Sequence, residues 1–137
     1  MGETIRPAVA GDVEAVLELW DDARSSHAVT ADAPERVAAL VESGSLIVAS
    51  VDGSVVGAVI AAFDGWRGNF YRLAVAPERR REGIASALVR AGEERLRSVG
   101  ARRVTALVAH EEEHAGAFWT ALGYPPDPEI GRHVRNL

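Results

Sequence analysis

The chain has 137 residues, of which 47% are hydrophobic and 26% charged, and this length and balance predict one folded domain over residues 1–137 and exclude global disorder. The formal net charge of -5 sets the chain against general nucleic-acid binding. No run approaches the roughly 18 apolar residues of a membrane span, and residues 1–7 lack a basic stretch followed by an apolar one, so the expectation is a cytoplasmic protein with no membrane partner.

The absence of cysteine removes disulfides, thiolate metal ligands and a sulfur nucleophile. All 15 basic residues are arginine, which we read as compositional bias. Residues 4–7 read as a short strand. Asp12 is then a candidate N-cap for a helix with Val13, Val16, Leu17 and Trp20 on one face. Asp32 and Pro34 open a second helix carrying Val37, Leu40 and Val41, which stops at Gly44. Residues 46–51 and 55–63 are β-branched, apolar runs joined by Asp52-Gly53, a dipeptide suited to a tight hairpin turn.

A polar loop over 64–69 leads to a strand over 70–75, ended by Ala76-Pro77. Residues 83–99 carry Ile84, Leu88, Leu96 and Val99 on one helical face, and a strand follows over 104–108. Strand, crossover helix and strand predict a parallel pair. Ala115, Phe118, Trp119 and Leu122 form a last helical stripe closed by Gly123, and residues 130–137 read as a final strand. The expected fold is a mixed α/β sandwich around one mostly antiparallel sheet, with helices on both faces.

The most informative stretch is residues 73–85. It is a strand, a turn and a helix start whose first residues are small, so unpaired backbone N–H groups can converge on an anion such as a pyrophosphate. Gly83 permits close approach of the backbone to a ligand, Ala85 keeps the floor low, and Arg79, Arg80 and Arg81 add positive charge. The bland alternatives are a solvated arginine run and close packing of helix on sheet.

In these residues the chain resembles the GNAT superfamily of N-acetyltransferases. The family's pyrophosphate loop, Q/R-x-x-G-x-G/A, is similar to Arg80-x-x-Gly83-x-Ala85, and its A-x-x-F-Y-x-x-x-G-F/Y helix resembles Ala115-x-x-Phe118-Trp119-x-x-x-Gly123-Tyr124. With Ile5-Arg6-Pro7 and the element order, the resemblance covers essentially the whole chain. It implies a GNAT-like fold whose strands at Phe70 and Val104 splay apart, and an enzyme that moves acetyl from acetyl-CoA directly to a primary amine.

The resemblance further implies site roles. The backbone of Arg81, Glu82, Gly83, Ile84 and Ala85, with Arg80 and Ser86 beside it, would hold the CoA pyrophosphate. Leu73, Ala74 and Val75 would pair with the pantetheine arm as an added strand, and the N–H near Leu73 would polarise the thioester carbonyl. Glu112, Phe118 and Trp119 would line the cofactor. A small-molecule or peptide amine acceptor and a homodimer are expectations of the same resemblance, and no metal is expected, on the histidine spacing considered next.

The chain departs from the family where acid and base are concerned. The family's general-acid tyrosine falls on Trp119, whose indole N–H is too weak an acid to protonate a thiolate, and the pantetheine-contacting asparagine aligns with Glu112. Tyr71, His110, Glu111 and Tyr124 are the candidates for proton transfer. His110-Glu111-Glu112-Glu113-His114 also fits the H-E-x-x-H zinc pattern. His110, however, follows an apolar strand, so the two histidines need not share a helical face. A zinc hydrolase and a non-catalytic acyl-CoA-binding or regulatory domain are the alternatives.

Overall fold

A computed structural model of the protein describes residues 2–22, 32–108 and 113–137. They divide into two compact units, Met1–Leu107 and Val108–Leu137. The first holds a five-stranded sheet in the order β1 (Thr4–Pro7), β2 (Leu46–Val51), β3 (Ser54–Phe63), β4 (Gly68–Val75) and β5 (Val104–Ala106). All pairs are antiparallel except β4 with β5.

The apolar stripes form helices, with Leu19 buried in place of the expected Leu17 and Val99 left exposed past the end of the third long helix. Helix α1 (Val13–Asp22) buries Val16, Leu19 and Trp20, and α2 (Pro34–Ser43) buries Val37. The 15-residue helix α3 (Ile84–Ser98) buries Ile84, Leu88, Val89, Gly92 and Leu96. Helix α1 packs on β3, β4 and α2, whereas α3 packs on β1 to β4. Two helices that cross the same strands without packing on each other lie on opposite faces, so the sheet is covered on both sides.

The α3 face is built for close approach. A Cβ on Gly92 would lie 2.3 Å from the Phe70 ring, and one on Gly68 2.9 Å from Leu96, so these glycines are small because the helix is near. The same contacts show that Phe70 and Ala61 face α3, and alternation along a strand turns Tyr71 toward the other face.

Four further expectations need correction. Asp12 does not cap α1 but ends a 3-10 turn (Ala10–Asp12), where its carboxylate accepts the Val9 N–H at 2.8 Å and pairs with Arg6 at 2.7 Å. The Arg6 hydrogen bond, aided by Val9 N–H and opposed by burial, holds Asp12 below the ordinary carboxylate range. Strand β4 begins two residues earlier than its apolar run, because the Gly68 N–H finds the Arg103 carbonyl at 2.9 Å. Strand β5 ends at Ala106 rather than Val108.

The fourth correction is the tail. Residues 130–137 form no strand. Ile130, Val134 and Leu137 are exposed, and Arg132 and Asn136 interrupt the face that Ile130 and Val134 would share on a strand.

Candidate functional site

Strand β4 has two unlike edges. Along β3 its register runs from Phe63↔Gly68 to Ile60↔Tyr71 and resumes at Ala58↔Ala74, so Arg72 and Leu73 together oppose Val59. This is a β-bulge, and Arg72 takes a φ of +57° inside it. For a residue with a Cβ, that conformation costs about 1–2 kcal/mol. Along β5, only Gly68, Asn69 and Phe70 are paired. Among the described residues, 71–75 have no partner on that side, so their main-chain groups offer an edge that an extended chain could pair with.

After Val75 the chain passes through a 3-10 turn (Pro77–Arg79) and then reverses hand twice, with Arg81 at φ +66° and Gly83 at +82°. Left-handed residues alternating with others turn successive N–H groups toward one concavity, an arrangement suited to anions. Gly83 is the N-cap of α3 and provides no side-chain cap. The first helical bond of this turn is Ala87 N–H to the Gly83 carbonyl at 3.1 Å, so the N–H groups of Ile84, Ala85 and Ser86 precede it.

The electrostatics agree with an open anion site. Helices α1 and α2 each carry a glutamate in the first turn, which offsets the positive pole, while α3 carries no acid there. Glu82 precedes the helix and is met by Arg79 at 3.8 Å. The side chains of Arg80 and Arg81 are exposed and make no ion pair among the described residues. A Cβ on Gly83 would meet nothing within 4 Å, so its glycine is needed for backbone sign and leaves the mouth clear. The Ile84 side chain points into the core at 2% exposure, so only its main chain borders the mouth.

Sequence reasoning missed what holds the bulge. The Trp20 indole N–H donates to the Arg72 carbonyl at 2.9 Å, and the Arg72 guanidinium lies 5.1 Å from the Trp20 ring centroid. The same guanidinium is ion-paired with Asp32 just ahead of α2. The only signal in the sequence was an arginine inside an otherwise apolar strand.

A sequence model of the acetyltransferase (GNAT) family matches residues 13–124. The chain belongs to that family. As an N-acetyltransferase of the GNAT type, it shares its fold with solved relatives of low identity. The aminoglycoside N-acetyltransferase AAC(6')-Iy, solved with a CoA bisubstrate analogue, superposes with a TM-score of 0.81 at 18% identity, covering 100% of both chains. Ard1 from Thermoplasma volcanium gives 0.77 at 24% identity over 90% of this chain and 82% of its own. Rv2747 from Mycobacterium tuberculosis, solved with CoA, gives 0.74 at 22% over 88% and 70%.

Of the remaining candidates of this GNAT chain, Phe118, Trp119 and Tyr124 lie in the second unit. Helix α4 (Glu113–Ala121) is followed by a left-handed Gly123, and the Tyr124 N–H returns to the Trp119 carbonyl at 2.9 Å. Trp119 is buried at 8% exposure and meets Phe118 and Tyr124 edge-on, with centroids 5.4 and 5.2 Å away. This is a packed aromatic cluster. His110, Glu111 and Glu112 lie outside the described residues. Tyr71 is half-exposed on β4, on the sheet face that α1 covers. Among the described residues no helix is long and apolar enough to cross a membrane.

Proposed function

We propose that the chain works as one domain, residues 1–137, and transfers an acetyl group from acetyl-CoA directly to a primary amine in the cytoplasm. The observation that carries this reading is the junction where β4 leaves β5 after three paired residues, beside a helix start with no side-chain cap. An anion held by the N–H groups of 81–86, with Arg80 alongside, would point its attached chain along Leu73, Ala74 and Val75.

The thioester supplies an activated acetyl carbon. The amine nitrogen bonds to that carbon, the carbonyl electrons shift to oxygen, and the Leu73 N–H stabilises the resulting oxyanion. Collapse breaks the C–S bond, sulfur takes the electron pair, and the amine proton reaches the thiolate, giving amide and free CoA thiol. With tryptophan at 119, the proton relay falls to Tyr71, Glu111 or Tyr124, or to water. Phe118 and Trp119 would line the cofactor, and Glu112 would stand where the family's pantetheine-contacting asparagine falls.

A small-molecule acceptor agrees with the neighbour AAC(6')-Iy, whose bound analogue joins CoA to an acetylneamine. The test is thermal stability with and without acetyl-CoA, followed by thiol release with an aminoglycoside, a polyamine, glutamine and a peptide with a free N-terminus. The reading predicts a raised midpoint and amine-dependent thiol. A raised midpoint without thiol for any amine would mark a binding domain, and an unmoved midpoint would overturn the cofactor site.

A further inference from the structure

We infer that Trp20 is a positioning residue for the acetyl-transfer site: its indole N–H pins the Arg72 carbonyl and thereby aims the Leu73 N–H away from α1. The inference rests on the reading above, in which that N–H meets the thioester carbonyl.

The argument begins with the peptide unit. The bond between Arg72 and Leu73 is trans, because the described chain has no cis peptide. In a planar trans unit the carbonyl and the following N–H point in opposite directions. The Arg72 carbonyl is held at 2.9 Å by Trp20 from the α1 side of the sheet, so the Leu73 N–H is directed oppositely. Neither Arg72 nor Leu73 has a Cα partner in the β3 register, so this peptide lies outside the regular pairing, and the Trp20 indole is the side-chain group that holds its carbonyl.

Trp20 suits that task. It is 3% exposed, anchored in α1 and unable to move without disturbing the core. Arg72 sits at φ +57°, a conformation that persists only where its surroundings hold it. Its side chain is held as well, against the Trp20 ring and by Asp32. Without the indole donor the bulge peptide would be free to rotate, and the oxyanion donor would be misdirected while the CoA grip at Gly83 stayed intact.

Trp20→Phe removes the donor and keeps an aromatic ring beside Arg72. The comparison uses amide NMR of wild type and variant with CoA and with acetyl-CoA, together with steady-state rates for the best amine of the panel. In wild type the Leu73 amide should respond differently to acetyl-CoA and CoA. In the variant that difference should vanish, the Gly83 amide should still respond to both, and kcat should fall about ten- to hundredfold with the acetyl-CoA KM nearly unchanged. Retention of both kcat and the Leu73 difference would overturn the inference. A wild-type Gly83 amide that ignores CoA would instead overturn the cofactor site, and this inference with it. Should Trp20→Phe not fold, benzothienylalanine at position 20 keeps the two-ring shape without the N–H and is read by the same criteria.

Discussion

The two ends of α3 are built on opposite principles. At its C-terminal end the chain satisfies itself: Val99, Gly100 and Ala101 N–H groups return to Arg95, Arg97 and Leu96 carbonyls at 3.1, 3.1 and 2.9 Å. Arg95 adds bonds to the Ala61 and Ser43 carbonyls at 3.2 Å each, and basic residues in the last turn suit the negative pole. At its N-terminal end a left-handed glycine provides no side-chain cap and no acid occupies the first turn. The lesson is that one end closes the fold, while the other is left without a cap of its own, as the proposed cofactor site requires.

Substitutions can break or sharpen this contrast. The largest effect should come from Gly92→Ala, which drives a methyl into the Phe70 ring and lifts the whole helix from the sheet. Overpacking of this kind costs about 1–3 kcal/mol or more, and urea unfolding should show it. Arg95→Ala should loosen only the closed end, lowering stability by about 1–2 kcal/mol while leaving the acetyl-CoA-induced thermal shift unchanged. If that shift also fell, the two ends would not be independent.

A control outside α3 is Asp12. Its carboxyl is held low by Arg6, so it contributes stability above the ordinary carboxylate pKa near 4, lost as pH falls through the depressed folded value. Asp12→Asn should therefore flatten the acid limb of the stability profile and cost about 1 kcal/mol at neutral pH. The smallest effect belongs to Arg80→Ala at the open end. An exposed charge of this kind should weaken acetyl-CoA binding about two- to fivefold, less so in high salt.

Most of the fold was legible because it is written in local periodicity. The stripes of α1, α2 and α3 and the Asp52-Gly53 hairpin depend on neighbours a few residues apart, and so does the Arg80-x-x-Gly83-x-Ala85 turn. The bulge was not legible, since it is held by Trp20 and Asp32 from positions 52 and 40 residues away from Arg72. Trp20 looked like one more core residue on its stripe, and nothing local marks its indole as a donor to the sheet. Asp12 misled because a carboxylate beside a helix start can turn back to an earlier N–H and an arginine as readily as it can cap. The tail failed for want of a partner strand, which no local pattern can provide.

The central claim is that the open end of α3 grips the cofactor. Its most direct test is the thermal midpoint of Gly83→Glu with and without acetyl-CoA, set against wild type. The chain itself leaves room for a side chain there, so the variant should fold despite the strain of a positive φ. The account predicts that saturating acetyl-CoA, which at a hundred times Kd stabilises a protein by about 2.7 kcal/mol, raises the wild-type midpoint and leaves that of the variant unmoved. An equal rise in both would contradict it.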